Sequence, residues 1–319
     1  DYLENFTRRV TKSPNSANKV PRNQGQQMDT ALRTDSLTIT PLTKHVGAEI
    51  SGIDIRQKLD GDMVRLLNDA FNRHVALVFR DRDLSREQQT DFAENFGPLG
   101  VRRSAPKDVR AGEEATRGHV MLVTNIPEEA GTKAGSYGDG EMWFHADSCY
   151  YEIPNRATFL YSVELPSTGG NTRMNSMYAA YDNVPTALKE KLHGRRVLQI
   201  HDHKRRERLD LDNIVVEDLR HCWQPIFLTH SQTGRRALYV NRLMSARIEG
   251  LERVESDAIL DDLFEITEDP SIFYEHEWRL GDLLMWDNHA SIHMRTDFPR
   301  EERRLLRRCT VGGDGPLSF

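Results

Sequence analysis

His145-Ala146-Asp147 sets an imidazole and a carboxylate two residues apart. On a strand, residues i and i+2 share a face, so this pair can reach a single cation together; on a surface, the same spacing is a histidine hydrogen-bonded to a nearby acid. A metal site needs a third donor, and His201, His203, His230, His289 and His293 are the histidines that could supply it. His201 and His203 repeat the same-face spacing and could chelate by themselves. They run straight into Lys204-Arg205-Arg206-Glu207-Arg208, however, which reads as a solvated charged turn. Further on, Arg300 to Arg308 holds five arginines on a stretch with strand character. Alternation over Arg304–Val311 places Arg304, Leu306, Arg308 and Thr310 on one face, with Leu305, Arg307, Cys309 and Val311 on the other. At about 3.3 Å per residue, Arg304 and Arg308 stand roughly 13 Å apart on the same side. Turned into a barrel interior, both guanidinium groups need anions, and bidentate carboxylates or sulfonates are the natural partners. Turned to solvent on an edge strand, they pair with Glu301 and Glu302. Spacing alone leaves both arrangements open.

The elements that must position these residues are mostly short. Strands are predicted over 36–40, 48–55 (interrupted at Gly52), 75–79, 119–124, 156–163, 196–201, 225–229, 237–240, 272–278, 282–286 and 304–311. Ser231-Gln232-Thr233-Gly234 reads as a hairpin turn. Helical spacing covers 62–74. A capping box of Ser85 with Gln88 opens a helix that ends before Gly97-Pro98. Further helical regions are predicted over 177–193, with Pro185 suited to a first turn and Gly194 to the position after the last, and over 256–266. Strands dominate the C-terminal two thirds without strict alternation with helices, which favours a mainly β chain, an antiparallel sandwich or jelly roll with flanking helices. Residues 1–35 are polar and aperiodic and read as a poorly ordered N-terminal arm before one domain over 36–319. A glycine-bearing stretch between Ile126 and Met142 makes the segment about 101–142 a lid over a site.

The chain has 319 residues, a formal net charge of −6 and three cysteines, Cys149, Cys222 and Cys309. The charge argues against general nucleic-acid binding. No apolar run approaches the roughly 18 to 20 residues of a membrane span. The cysteines are too few and scattered for a disulfide framework or a thiolate metal site. A cytoplasmic globular protein with no nucleic-acid or membrane partner is expected, as is a homo-oligomer, dimer or tetramer.

Four motifs in order carry a resemblance. They are His145-Ala146-Asp147; Glu164-Leu165-Pro166-Ser167-Thr168-Gly169-Gly170-Asn171-Thr172; Trp286-Asp287-Asn288 with His293; and Arg303-Arg304 through Arg308. Together they resemble the signature series of the taurine/α-ketoglutarate dioxygenase family, to which taurine dioxygenase and the phenoxyacetate-herbicide dioxygenases belong, from about Ser36 to Asp314. The resemblance implies a double-stranded β-helix (jelly roll) that holds iron(II) by two histidines and a carboxylate, the facial arrangement of oxygen-activating iron sites. His145, Asp147 and His293 are the implied ligands, with His289 the competitor for the distal position. Arg304 is implied to clamp the distal carboxylate of 2-oxoglutarate with help from Thr172, which the Gly169-Gly170 turn delivers, and Arg308 to bind the acidic group of the substrate. Arg102, Ala105, Glu141 and Tyr150 depart from taurine dioxygenase in the implied substrate pocket. Taurine itself is therefore disfavoured, and Arg102 and Tyr150 are expected to contact a small carboxylate or sulfonate. The implied reaction consumes O2 and 2-oxoglutarate, releases succinate and CO2, and oxidises a C–H bond, with C–heteroatom cleavage where that carbon bears a heteroatom. Two other classes are a cupin-like metalloenzyme that needs no 2-oxoglutarate, which Arg304 argues against, and a noncatalytic jelly-roll binding module, which the intact triad argues against.

Overall fold

The computed structural model describes residues 32–33, 37–100, 119–126, 142–201, 211 and 214–319. Most of the arm expected over 1–35 and of the lid expected over 101–142 lies outside the described residues. Residues 31–319 form one compact unit. Its elements run β1 (Leu32–Arg33), β2 (Thr38–Pro41), β3 (Ala48–Ser51), α1 (Gly61–His74), β4 (Ala76–Phe79), α2 (Arg86–Glu94), β5 (Met121–Thr124), β6 (Met142–His145), β7 (Ala157–Glu164) and β8 (Thr172–Ser176). They continue α3 (Met177–Asn183), α4 (Thr186–Leu192), β9 (Arg196–Ile200), β10 (His221–Pro225), β11 (Phe227–Thr229), β12 (Arg236–Leu238), β13 (Ser245–Ile248), α5 (Arg253–Thr267), β14 (Phe273–His276), β15 (Leu283–Asp287), β16 (Ser291–Arg295) and β17 (Leu305–Val311). The chain is mainly β, with five α-helices among the described residues.

An eight-stranded sheet runs in the order β1-β2-β3-β4-β15-β7-β17-β5, and a four-stranded sheet runs β14-β8-β16-β6. Only β3 with β4 pairs in parallel among the described strands. Strands β4 and β15 are buried at every position, so both faces of the large sheet must be covered, and their side chains alternate between two clusters. Leu77, Phe79, Leu283 and Met285 point to the side where Leu67 and Phe71 of α1 and Phe92 of α2 pack. Ala76, Val78, Leu284 and Trp286 point the other way, meeting Met174 of β8 and Tyr274 of β14. The two sheets thus stack face to face, with the helices on the far side of the large one. A third cluster gathers α3, α5 and the small β9 and β11–β12 strands around Tyr178, Tyr239 and Leu263.

Local signals behave as their chemistry requires. Asp60 caps α1 by accepting from the Met63 amide, and Ser85 with Gln88 closes the capping box of α2. The turn predicted at Ser231–Gly234 joins β11 to β12. The single helical region predicted over 177–193 is in fact two helices. Val184 precedes Pro185, and proline disfavours helical geometry in the residue before it; Val184 adopts ψ 129°, ending α3.

Candidate active site

Strand pairing brings the motif residues together. β16 and β6 are antiparallel, with His293 directly opposite His145, and the two imidazole rings lie 4.2 Å apart. The strand expected to carry both His145 and Asp147 stops at His145; Asp147 sits in the following turn, which Ser148 takes through a positive φ of 61°. The carboxylate nevertheless folds back to the histidines. Asp147 Oδ1 lies 3.8 Å from His145 Nε2, and Oδ2 lies 4.0 Å from His293 Nε2. The three ligating atoms fall within 4.8 Å of one another.

Their chemistry suits a divalent cation. His145 Nδ1 lies 2.9 Å from the Trp143 carbonyl, so it carries the proton and leaves Nε2 with its lone pair. Burial holds His293 well below the ordinary imidazole range, reinforced by His145, so it too is a neutral donor. Burial pushes Asp147 upward, but Arg308, His293, His145 and a hydrogen bond from Thr158 outweigh it, and the carboxylate stays ionised. Thr158 Oγ1 donates to Asp147 Oδ2 at 2.8 Å, Asn288 Nδ2 donates to Thr158 Oγ1 at 3.0 Å, and Trp286 Nε1 donates to Asn288 Oδ1 at 2.9 Å. Two lone-pair nitrogens and an anionic oxygen on one side of a pocket are the donor set of an open non-haem iron site.

His289 stands outside this group. It lies with His230 and Asp287 in a second buried cluster, where His230 Nε2 donates to Asp287 at 3.0 Å and Arg156 stands 3.6 Å away. His201 packs against Tyr150, and His203 lies outside the described residues.

The pocket beside this group is lined by Val123, Met142, Leu160, Thr172, Trp286, Met294, Arg295, Arg304 and Arg308 together with His145, Asp147 and His293. Arg304 and Arg308 therefore share one face, as alternation predicted, and that face turns into the pocket, while Arg303, Leu305 and Arg307 line a larger cleft of about 690 Å³ on the opposite face of the sheet. Size is no guide here, because the ligating groups converge only in the smaller pocket. Arg304 is held from three directions. Its amide donates to Asn125 Oδ1 at 2.9 Å, its carbonyl accepts from Thr124 Oγ1 at 2.7 Å, and its Nη2 donates to the Gly170 carbonyl at 2.9 Å. Burial and the nearby Arg295 push its guanidinium down to about 9, still charged at neutral pH. Thr172 accepts from Trp278 Nε1 at 3.1 Å. Arg308 Nη2 lies 3.4 Å from Asp147 Oδ2. Tyr150 packs at a tilt against Tyr151 and edge-on against His201 and is not among the described residues lining the pocket; Arg102, Ala105 and Glu141 lie outside the described residues. Thr158 and Arg295 carried no motif. For Arg295 the signal was its place two residues after His293, on the same strand face.

The family described as taurine catabolism dioxygenase TauD, TfdA family matches residues 38–310. The chain belongs to this family. Its relatives include the alpha-ketoglutarate-dependent 2,4-dichlorophenoxyacetate dioxygenase of Cupriavidus pinatubonensis, 32% identical over 88% of this chain and 99% of that protein. Pentalenolactone F synthase of Streptomyces avermitilis is 31% identical over 85% of this chain and 92% of that protein. Among solved structures, a taurine dioxygenase from Burkholderia xenovorans aligns with a TM-score of 0.71 at 26% identity, covering 88% of this chain and 91% of that one. AAD-2 in complex with Mn(II) and N-oxalylglycine aligns with a TM-score of 0.69 at 27% identity, covering 88% and 98%. This TauD/TfdA family member is a 2-oxoglutarate-dependent non-haem iron dioxygenase, working with iron(II), 2-oxoglutarate and O2. No helix among the described residues is long and apolar enough to cross a membrane.

Proposed function

We propose that His145, Asp147 and His293 hold the iron, that Arg304 and Thr172 receive the distal carboxylate of 2-oxoglutarate, and that Arg308 receives the acidic group of a small organic carboxylate or sulfonate. The observation that carries this reading is the convergence of the three metal-ligating atoms with Arg304 and Arg308 in one buried pocket. Iron(II), when bound, supplies the oxygen chemistry that couples decarboxylation of 2-oxoglutarate to oxidation of a substrate C–H, releasing succinate and CO2. The chain supplies placement. Arg304, fixed by Asn125, Thr124 and Gly170, orients the cosubstrate. Val123, Leu160, Trp286 and Met294 exclude water. Arg308 stands close to Asp147, so an acid bound to it presents the carbons next to its acidic group to the metal centre. A hydroxyl added to a heteroatom-bearing carbon there leads to C–heteroatom cleavage. Relatives named for 2,4-dichlorophenoxyacetate and phenoxypropionate support an acidic substrate, and Arg102 and Tyr150 are proposed to shape its specificity.

The face-to-face packing of the eight- and four-stranded sheets supports reading them as the two halves of a double-stranded β-helix, or jelly roll, within a domain over 36–319 that an N-terminal arm precedes and a lid over about 101–142 covers. A 2-oxoglutarate-independent cupin-like enzyme or a noncatalytic module would have no use for a buried arginine built into the site as Arg304 is. Three free cysteines fit a reducing cytoplasm. The exposed apolar side chains of Val163 and Leu280 beside the outer cleft fit a homo-oligomer, which sedimentation would reveal. The substrate assignment is tested by succinate release across a panel of carboxylates and sulfonates. Arg308→Ala should raise KM for an accepted acid about tenfold to a hundredfold, the worth of a charged hydrogen bond; an unchanged KM contradicts the assignment.

A further inference from the structure

The larger cleft, on the reverse of the sheet, gathers a second set of cations. Arg82, Arg86, Arg303 and Arg307 line it with a single carboxylate, Asp83, among the described residues, and its volume of about 690 Å³ lies in the range of small-molecule sites. Arg303 is answered by Glu164 Oε1 at 2.7 Å. Arg82 and Arg307 form no ion pair among the described residues, and the Nε of each is buried without a hydrogen-bond acceptor. The charge of Arg82 reaches Asp54, but Arg56 already grips both oxygens of that carboxylate, at 2.8 and 3.0 Å. Burial holds the Arg307 guanidinium below its ordinary value and Arg86 adds to this, against the pull of Tyr161, Glu87 and Asp83. The floor of the cleft is tied together by one phenol. Tyr161 Oη donates to the Arg82 carbonyl at 2.7 Å and accepts from the Leu84 amide at 3.3 Å. Arg307 lies over the Tyr161 ring, 4.4 Å from its centroid, and donates through Nη2 to the Leu84 carbonyl. Leu122 and Leu305 add apolar surface beside the arginines. Partly desolvated guanidinium groups that lack acceptors are costly, and an anion seated against them offsets that cost. The apolar walls favour an anion that carries a hydrocarbon body.

We propose that this cleft is a second acid-binding site, which takes a small amphipathic organic acid with its carboxylate on Arg82 and Arg307 and its apolar body against Leu122 and Leu305. The site stands apart from the iron pocket, because β17 turns Arg307 to one side of the sheet and Arg304 and Arg308 to the other. It is therefore independent of the assignments made in that pocket.

The test is isothermal titration of the protein, with Mn(II) and N-oxalylglycine present, with octanoate and with 1-octanol. Octanoate should saturate, and octanol, which keeps the chain and lacks the charge, should bind at least about tenfold more weakly. Arg82→Gln or Arg307→Gln should weaken octanoate by about tenfold or more, as expected for a charged hydrogen bond, while Arg308→Ala leaves it within about twofold. Thermal melting establishes that each variant folds. Arg307 also holds the Leu84 carbonyl, so should its variant fail to fold, Arg82→Gln carries the comparison alone. Octanoate binding that neither variant weakens, that octanol matches, or that Arg308→Ala abolishes overturns the proposal, the last because it places the acid in the iron pocket. A second copy of the chain filling the cleft would leave no saturable octanoate binding, and that result overturns it too.

Discussion

Thr158 donates to the Asp147 oxygen that also faces His293 and Arg308, and Asn288 in turn donates to Thr158. This chain of hydrogen bonds fixes where the carboxylate points before any metal arrives, and such outer contacts are commonly worth ten- to a hundredfold in metal affinity. Thr158→Val keeps the side-chain shape and removes the donor. It should lower Mn(II) affinity by about tenfold, measured by titration of the folded protein; equal affinity would mean that the turn around Ser148 alone positions Asp147. At this scale the sequence was informative about residue types, since the proposed ligand set and two of the three arginines in the described lining, Arg304 and Arg308, sat in recognisable motifs. It was silent about Thr158, because a threonine in the buried part of a strand such as β7 has no local pattern to mark it as a hydrogen-bond donor to a residue on another element.

The turn between β7 and β8 shows how an element positions a side chain. Gly169 and Gly170 adopt φ of +70° and +66°, a conformation that costs other residues roughly 1–2 kcal/mol. A Cβ on Gly170 would lie 2.9 Å from Arg304 Nε. Gly170→Ala should therefore both destabilise the fold, by about 1–2 kcal/mol in urea unfolding, and weaken 2-oxoglutarate binding. Gly194 is the matched control, with φ +70° and nothing within 4 Å of its Cβ position. Gly194→Ala should show the backbone cost and leave cosubstrate binding untouched. The strands least visible in the sequence were β6, β8 and β16, which carry the site. Thr172–Ser176 and Ser291–Arg295 place His293, Arg295 and Thr172 where a core strand would place valine or isoleucine, so their apolar alternation is broken by the residues that function needs. Their tertiary pairing, rather than any local preference, makes them strands. The same pairing sets His293, the histidine that the resemblance implied, rather than His289, opposite His145.

Across the whole molecule, a net charge of −6 coexists with a pocket whose described lining carries Arg295, Arg304 and Arg308. The interior is organised by buried ionic groups that tie distant segments together. Asp287 is one, accepting from His230 and the His289 amide beside Arg156. Burial pushes its carboxyl up, but His230, His289 and Arg156 bring it down to about 2, below the ordinary 3.8. A depressed carboxyl stabilises the fold fully above its unfolded value and loses that contribution as pH falls toward the folded value. Asp287→Asn should thus be less stable than the parent by about 2–3 kcal/mol at pH 7, and the gap should narrow below about pH 4. Parallel urea unfolding at both pH values checks this; a gap independent of pH would assign the loss to packing. The account as a whole rests on one pocket binding metal and 2-oxoglutarate together. Its most direct test is anaerobic titration of the iron(II)-loaded protein with 2-oxoglutarate, followed by visible absorption. The parent should develop a charge-transfer band that saturates, and Arg304→Ala should need far more 2-oxoglutarate to reach it. No band in the parent, or an identical titration in Arg304→Ala, would contradict the account.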